Sequence, residues 1–342
     1  MIQPKKKIKV LIVDDSLLFR EMLARGLSED PHIEVVGKAG DPFQAKDMIV
    51  NLQPDVMTCD IEMPKMNGIE FIRQLLPQYP MPVIIVSGIT NKVFDAMNAG
   101  AVDYVVKPDE HSTGTMKSLL NELIIKIKTA PLAKIQQRRL KSIVSVPKSA
   151  KFDTKKVIFI GASTGGTEAI FTVLKNLPPN IPGIVIVQHI PPVFSRMFAE
   201  RMNTQTSLTV VESAGDEIIE PGKVFIAPGS RHLKVKKSGD KYKTEVFEGE
   251  KVNGHCPSVD VLFYSAAEVC GKNAVGVILT GMGQDGAKGL LEMKRQGAHT
   301  IGQDEKTSIV YGMPKAAFEI GAVDKQLDLD SIAGEIIKAV SI

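Results

Sequence analysis

The chain has 342 residues, 44% of them hydrophobic and 24% charged, with a formal charge of +3 and three cysteines. That length accommodates two domains, each with its own core, and no apolar run approaches the roughly 18 residues that span a membrane. Cys59, Cys256 and Cys270 form no CxxC spacing and leave an odd number, which argues against a disulfide framework or a zinc site and leaves them as small core residues.

In chain order, Lys5-Lys6-Lys7 precedes an apolar stretch, Ile8–Val13, that is too short for a signal peptide and runs into Asp14-Asp15. A cytoplasmic location is the expectation. From Lys7 to about Lys128 strand and helix patterns alternate five times. Strand-like runs fall at Val10–Val13, Ile33–Lys38, Val56–Cys59, Val83–Val86 and Tyr104–Val106, with amphipathic stretches between them and a helix from Gly114 to Lys128. The simplest fold is a five-stranded parallel sheet with helices on both faces, of the flavodoxin-like kind. Polar residues stand where its strands end: Asp14 and Asp15, Asp60, Ser87 and Lys107. Three carboxylates at one sheet edge repel one another unless a hard cation lies among them, and an all-oxygen donor set suits Mg²⁺. Lys107 adds a point charge that can pair with a phosphoryl group, and Ser87 a hydroxyl in reach of its oxygens.

With Asp60-Ile61-Glu62-Met63-Pro64 and Asn67-Gly68, this set closely resembles the receiver domain of two-component response regulators. The resemblance implies that Asp60 accepts a phosphoryl group from a chemotaxis histidine kinase and that Asp14 and Asp15 join Asp60 in binding Mg²⁺. It also implies that Ser87 and Tyr104 report phosphorylation and that Lys107 contacts the phosphoryl group. One departure is expected: Thr90–Gly100 is several residues shorter than the matching segment of related regulators, which bears on the helix after Ser87.

Between Leu123 and Phe152 no residue is acidic, while Lys126, Lys128, Lys134, Arg138, Arg139, Lys141, Lys148 and Lys151 are basic, so this segment more than accounts for the net charge. Pro131, Pro147 and scattered serines mark it as a solvated interdomain linker. No aromatic interleaving or helix-turn-helix pattern accompanies the charge, so nucleic acid is not expected as a partner. The expected domains are 5–128, a basic linker over 129–152, and 153–342.

Beyond Phe152 strands are expected at Val157–Ile160, Ile184–Val187, Leu208–Val211, Val224–Ala227 and Val275–Leu279. A hairpin is expected from Leu233–Lys236 and Lys241–Phe247, and helices over Thr167–Leu177, Ser195–Met202, Val259–Val269 and Gly289–Gln296. The second domain is thus α/β as well, a mostly parallel sheet with a β-hairpin. Gly161-Ala162-Ser163-Thr164-Gly165 follows the first of these strands, and a serine on such a strand-to-helix turn projects its hydroxyl past the sheet edge. The same turn serves equally to cradle phosphate, so its meaning rests on partners. The second strand leads into Gln188-His189 and the last into Thr280-Gly281-Met282-Gly283-Gln284-Asp285-Gly286. In a parallel sheet all carboxyl ends share one edge, where Ser163, His189 and Asp285 would supply nucleophile, base and orienting carboxylate. The order Ser, His, Asp differs from the Ser, Asp, His order of α/β-hydrolases. A dinucleotide fingerprint would need glycine at Ser163 and an acid after the second strand, and neither is present. His232, His255 and His299 lack strand-end placement and read as structural.

Ser163-Thr164-Gly165-Gly166, Gln188-His189-Ile190-Pro191, Ala227-Pro228-Gly229, Pro257-Ser258-Val259-Asp260 and Leu279–Gly286 together resemble the catalytic domain of the chemotaxis protein-glutamate methylesterases. That resemblance implies demethylation of glutamyl methyl esters on chemoreceptors and deamidation of receptor glutamines, without a metal for ester hydrolysis. It implies an oxyanion donor at the backbone N–H of Met282 with Thr164 nearby. An Asp-phosphate on a separate domain offers a switch, and the expectation is that the unphosphorylated receiver hinders receptor access to Ser163 until Asp60 is phosphorylated. A docking platform that has lost catalysis is the alternative output, and the intact Ser163, His189 and Asp285 count against it. A DNA-binding output lacks a recognition-helix signature.

Overall fold

The computed structural model describes residues 6–88, 92–108, 115–132 and 151–342. The chain divides into two compact units, Met1–Arg138 and Arg139–Ile342. Most of the basic linker, and the Gly114 start of the helix expected before it, lie outside the described residues.

The first unit runs β1 (Ile8–Val13), α1 (Leu17–Ser28), β2 (Ile33–Ala39), α2 (Pro42–Leu52), β3 (Val56–Cys59), α3 (Gly68–Leu75), β4 (Val83–Ser87), α4 (Val93–Asn98), β5 (Asp103–Val106) and α5 (Met116–Thr129). Its strands pair in the order β2-β1-β3-β4-β5, each pair parallel, which is the flavodoxin-like arrangement expected. Val10–Val13 and Val56–Cys59 are buried throughout because helices cover both faces, so these strands read as continuous apolar runs and not as alternating ones. The short segment after Ser87 does form a helix, but α4 has only 6 residues.

The second unit continues β6 (Val157–Ala162), α6 (Gly166–Lys175), β7 (Ile184–Gln188), α7 (Pro192–Gln205), β8 (Thr209–Glu212), β9 (Lys223–Ile226), β10 (His232–Ser238), β11 (Lys241–Phe247), α8 (Val259–Cys270), β12 (Ala274–Ile278), α9 (Ala287–Arg295), β13 (His299–Gln303), α10 (Met313–Glu319), β14 (Lys325–Leu327) and α11 (Leu329–Val340). Seven of these strands form one parallel sheet in the order β14-β13-β12-β6-β7-β9-β8, and β10-β11 pair antiparallel as the expected hairpin. Strands β13 and β14 and helices α10 and α11 were not legible as a pattern: His299, Thr300 and Gln303 break the apolar run that marks the other buried strands. Among the described residues no helix is long and apolar enough to cross a membrane.

The sheet winds outward in both directions from β6, to β7 on one side and to β12 on the other, so its topological switch point lies at its centre. Helix α8 packs directly on that centre, and Gly161 makes this possible. A Cβ built on Gly161 would lie 2.2 Å from Val259 Cγ1 and 3.2 Å from Phe263 Cζ. Both neighbours are fully buried and have no free space to enter. Gly161→Ala is therefore expected to destabilise the second unit by about 1–3 kcal/mol, the usual cost of overpacking. Urea unfolding of the full chain checks this, and an unchanged midpoint for that unit's transition would refute the tight β6–α8 approach.

Candidate active site and phosphoacceptor pocket

Strand register brings the triad candidates together. Ala162 of β6 lies opposite Gln188 of β7, so the next residues, Ser163 and His189, leave neighbouring strands side by side. On the other flank Gly161 lies opposite Ile278 of β12, and the chain beyond it continues along Ser163. The Ser163 amide donates to Thr280 O at 3.0 Å, and its carbonyl accepts from Gly166 N at 2.7 Å and Gln188 Nε2 at 2.9 Å. Gly281 passes so close that a Cβ there would lie 2.7 Å from Ser163 Cβ. Thr280 is held in turn by buried Gln303, whose Oε1 accepts its amide at 2.8 Å.

His189 turns Nε2 toward Asp285 Oδ2 at 2.8 Å. Its other ring nitrogen, Nδ1, is buried and has no hydrogen-bond partner among the described residues. Asp285 is buried and accepts four further hydrogen bonds: from Asn253 Nδ2 at 2.8 Å, Ser258 Oγ at 2.8 Å, Val259 N at 2.7 Å and Asp260 N at 3.2 Å. The last two are amides of the first turn of α8, whose N-terminus presents donors that no helical carbonyl takes up. Burial works to raise the Asp285 pKa, yet the bonds from His189, Asn253 and Ser258 hold it well below the usual carboxylate range. The carboxylate is thus ionised and fixed in place.

Met282 is 37% exposed, so it is not core filling. It lies between Gly281, whose carbonyl accepts from Met313 N at 2.8 Å, and Gly283, whose φ of +83° suits glycine. Thr164, in the turn after β6, is half-buried, and its carbonyl accepts from Thr280 Oγ1 of the loop after β12 at 3.0 Å.

Three residues of the site escaped the sequence analysis. His255, read there as structural, stacks face to face on His189 with ring centroids 3.7 Å apart and planes 7° from parallel. Asn253 and Ser258 supply two of the bonds to Asp285. The signal available was only that Ser258 lies in the segment Pro257–Asp260, part of the family resemblance, and that Asn253 and His255 stand just before it. His232 stands behind the site, its Nε2 contacting Glu250 O at 2.8 Å and its Nδ1 accepting from Ser258 N at 3.3 Å, while His299 lies elsewhere, its Nε2 contacting Glu335 Oε1 at 3.1 Å. Metal-ligand atoms of His189, His255 and Asp285 lie within 4.8 Å of one another. Two stacked imidazoles do not converge their lone pairs on one ion, and the Asp285 oxygens are already engaged.

In the first unit the site also lies at the switch point, between β1 and β3. Lys107 Nζ bridges Asp60 Oδ2 at 2.5 Å and Asp14 Oδ2 at 2.6 Å. Asp60 Oδ1 accepts from Ile61 N at 2.6 Å, and Asp14 Oδ1 from Ser16 N at 2.9 Å. Burial opposes the charge on Lys107, but its bonds to Asp14 and Asp60 hold the ammonium above its usual range. Burial leaves the Asp14 pKa raised in spite of Lys107, with Asp60 adding repulsion. Oxygens of Asp14, Asp15 and Asp60 lie within 4.8 Å of one another. A buried, under-compensated carboxylate in an all-oxygen set fits a hard divalent cation such as Mg²⁺. Ser87 and Tyr104 are buried at the ends of β4 and on β5, and burial pushes the Tyr104 hydroxyl well above its ordinary range.

Asp285→Ala would leave buried donors from three segments without an acceptor, and a loss of about 3–5 kcal/mol is expected. Because the folded-state pKa is depressed, the ionised group stabilises the fold above its unfolded value of about 3.9. That contribution disappears as pH falls below this value toward the folded one. Urea midpoints of wild type and Asp285→Ala should therefore differ by a constant amount above about pH 5 and converge in acid; a pH-independent difference would contradict the assignment.

Comparison with known proteins gives a family for each of the two units. Residues 158–336 match the family model described as CheB methylesterase, and residues 10–117 the response regulator receiver domain. The protein-glutamate methylesterase/protein-glutamine glutaminase 2 of Syntrophomonas wolfei is 52% identical over 336 residues, 98% of each chain. That of Syntrophotalea carbinolica is 48% identical over 348 residues, again 98% of each. The crystal structure of the Thermotoga maritima CheB methylesterase catalytic domain is similar with a TM-score of 0.53 and 40% identity, covering 54% of this chain and 98% of that one. With relatives of this identity along its whole length, the chain belongs to the family of CheB protein-glutamate methylesterases/protein-glutamine glutaminases that carry a response regulator receiver domain.

Proposed function

We propose that the protein is a phosphorylation-activated serine esterase of the cytoplasm that hydrolyses glutamyl methyl esters on chemoreceptors and deamidates receptor glutamines. The observation that carries this reading is the 2.8 Å pair of His189 and ionised Asp285 beside Ser163, at adjacent strand ends.

In this mechanism Ser163 Oγ attacks the ester carbonyl and its proton passes to His189 Nδ1, since Nε2 is committed to Asp285. Asp285 keeps the imidazole in the tautomer that leaves Nδ1 basic, and it stabilises the imidazolium without taking its proton. The Met282 amide N–H faces the charge that develops on the carbonyl oxygen, with Thr164 as neighbour. Collapse of the tetrahedral intermediate breaks the bond to methoxide, which takes the His189 proton and leaves as methanol. Water, deprotonated by His189, then attacks the acyl carbon; the bond to Ser163 Oγ breaks as His189 returns the proton to it, and glutamate is released. With a glutamine side chain the leaving group is ammonia and the second half is the same.

Asp60 receives the phosphoryl group from a histidine kinase. Asp14, Asp15 and Asp60 would hold Mg²⁺, which when bound offsets the negative charge of carboxylates and phosphoryl oxygens. Lys107 holds a phosphoryl oxygen, and Ser87 and Tyr104 respond to it. Asp60 phosphorylation then raises esterase activity, an electrostatic event at one site read out at another.

The test is methanol release from a methylated chemoreceptor cytoplasmic fragment, with and without a small-molecule phosphodonor and Mg²⁺. Release should rise with phosphodonor, vanish in Ser163→Ala and fall by about 10⁴ in kcat for Asp285→Asn. Asp60→Asn should keep the basal rate and lose the stimulation. Release that persists in Ser163→Ala, or equal stimulation of Asp60→Asn, would overturn the corresponding half of the proposal.

A further inference from the structure

A hydrogen bond from Nε2 to Asp285 directs one edge of the His189 ring but does not set its plane. The outer torsion of a histidine side chain is broad, so the ring can rock about the bonded edge and swing Nδ1 off the path of a transferring proton. Something else must hold the plane.

The connection between β11 and α8 is built to do this. Val252 and His255 exchange both backbone hydrogen bonds, each at 3.0 Å, across a two-residue turn of Asn253 and Gly254. Both turn residues have positive φ, +53° and +83°, as the tightest hairpin turns require. The loop is tied down on each side. His232 takes Glu250 O on Nε2 and Ser258 N on Nδ1 at 3.3 Å, while Asn253 Nδ2 reaches Asp260 Oδ2 at 2.7 Å and Asp285 Oδ1 at 2.8 Å. So anchored, the turn lays the His255 ring flat on His189 at 3.7 Å and 7°, and the His189 side chain is left 7% exposed.

We propose that His255 is a positioning residue for the reaction: its ring, clamped by the 252–258 turn, fixes the plane of His189 so that Nε2 stays on Asp285 while Nδ1 is presented for proton transfer. This rests on the reading of His189 as the base. The stacked ring also keeps water off the His189–Asp285 pair, which strengthens that bond. It does so without adding charge at neutral pH, because burial, helped by the neighbouring His189, pushes the His255 pKa down to about 4. A permanently charged residue in its place would oppose the imidazolium that forms on His189 at close range.

The test compares His255→Ala, which removes the ring, with His255→Phe, which keeps a flat ring without nitrogens. Two readouts are taken on the full chain: methanol release from the methylated receptor fragment, and the labelling rate of Ser163 by a fluorophosphonate, which reads nucleophile activation without receptor binding. His255→Ala should lose about 100-fold in kcat and in labelling rate with KM changed less than about threefold, the size expected when a reacting group is misplaced by about an ångström. His255→Phe should recover to within about fivefold of wild type. Full activity in His255→Ala, a loss confined to KM, or a His255→Phe as impaired as His255→Ala would each overturn the proposal. Thermal unfolding is followed for every variant. Should His255→Ala not fold, His255→Leu, which fills the space without a flat face, takes its place with the same expected loss. His189→Ala is run in parallel: labelling that survives it removes His189 as the base, whereas loss there with normal His255→Ala rejects only the role given to His255.

Discussion

A carboxylate buried as fully as that of Asp285 is unfavourable unless nearly all of its lone pairs are taken, and five donors from three separate segments take them. The requirement runs both ways. The two first-turn amides of α8 and the hydroxyl of Ser258 are themselves donors in a water-poor place, and without Asp285 they would lose their acceptor, while Asn253 would keep only Asp260. One charge therefore joins the loop after β12, the turn at 252–258 and the N-terminus of the helix that covers the sheet centre. His189 is bonded to the same charge, so the His189–Asp285 pair and the packing of α8 depend on one interaction.

The two units share an architecture and differ in electrostatics. In each, strands wind away from a central switch point and polar residues stand on the carboxyl ends of the strands beside it: Asp14 and Asp60 on β1 and β3, Ser163 and His189 on β6 and β7. Around Asp285 the donors outnumber the charge and its pKa is depressed. Around Asp14 burial and a second carboxylate outweigh Lys107 and its pKa is raised. The first arrangement is complete within the protein and suits a group that must stay ionised through a reaction cycle. The second is short of positive charge, as suits a site that admits a cation and a phosphoryl group. The same kind of fold thus holds a carboxylate saturated by donors in one unit and an under-compensated one in the other, and side-chain chemistry separates them.

What could be read without a structure was whatever depends on local pattern. Continuous apolar runs identified the strands that helices bury on both faces, and polar residues directly after them identified Asp14, Asp60, Ser163 and His189, because a parallel sheet puts every carboxyl end on one edge. The hairpin of β10 and β11 was legible from its turn residues. Strand β13 was not, because Thr300 and Gln303 are polar side chains satisfied by distant groups, Asp324 and Thr280, and no local pattern records a partner that far along the chain.

The sequence by itself determined two α/β units, the residue types available at their strand ends and thereby the class of chemistry, since these depend on spacing and on the geometry every parallel sheet shares. Only tertiary structure decided which nitrogen of His189 meets Asp285, which donors saturate that carboxylate, and that His255 lies flat on the imidazole. Those outcomes turn on the register between strands and on a turn brought back over the sheet by long-range packing, and neither is encoded in the neighbours of the residues it positions.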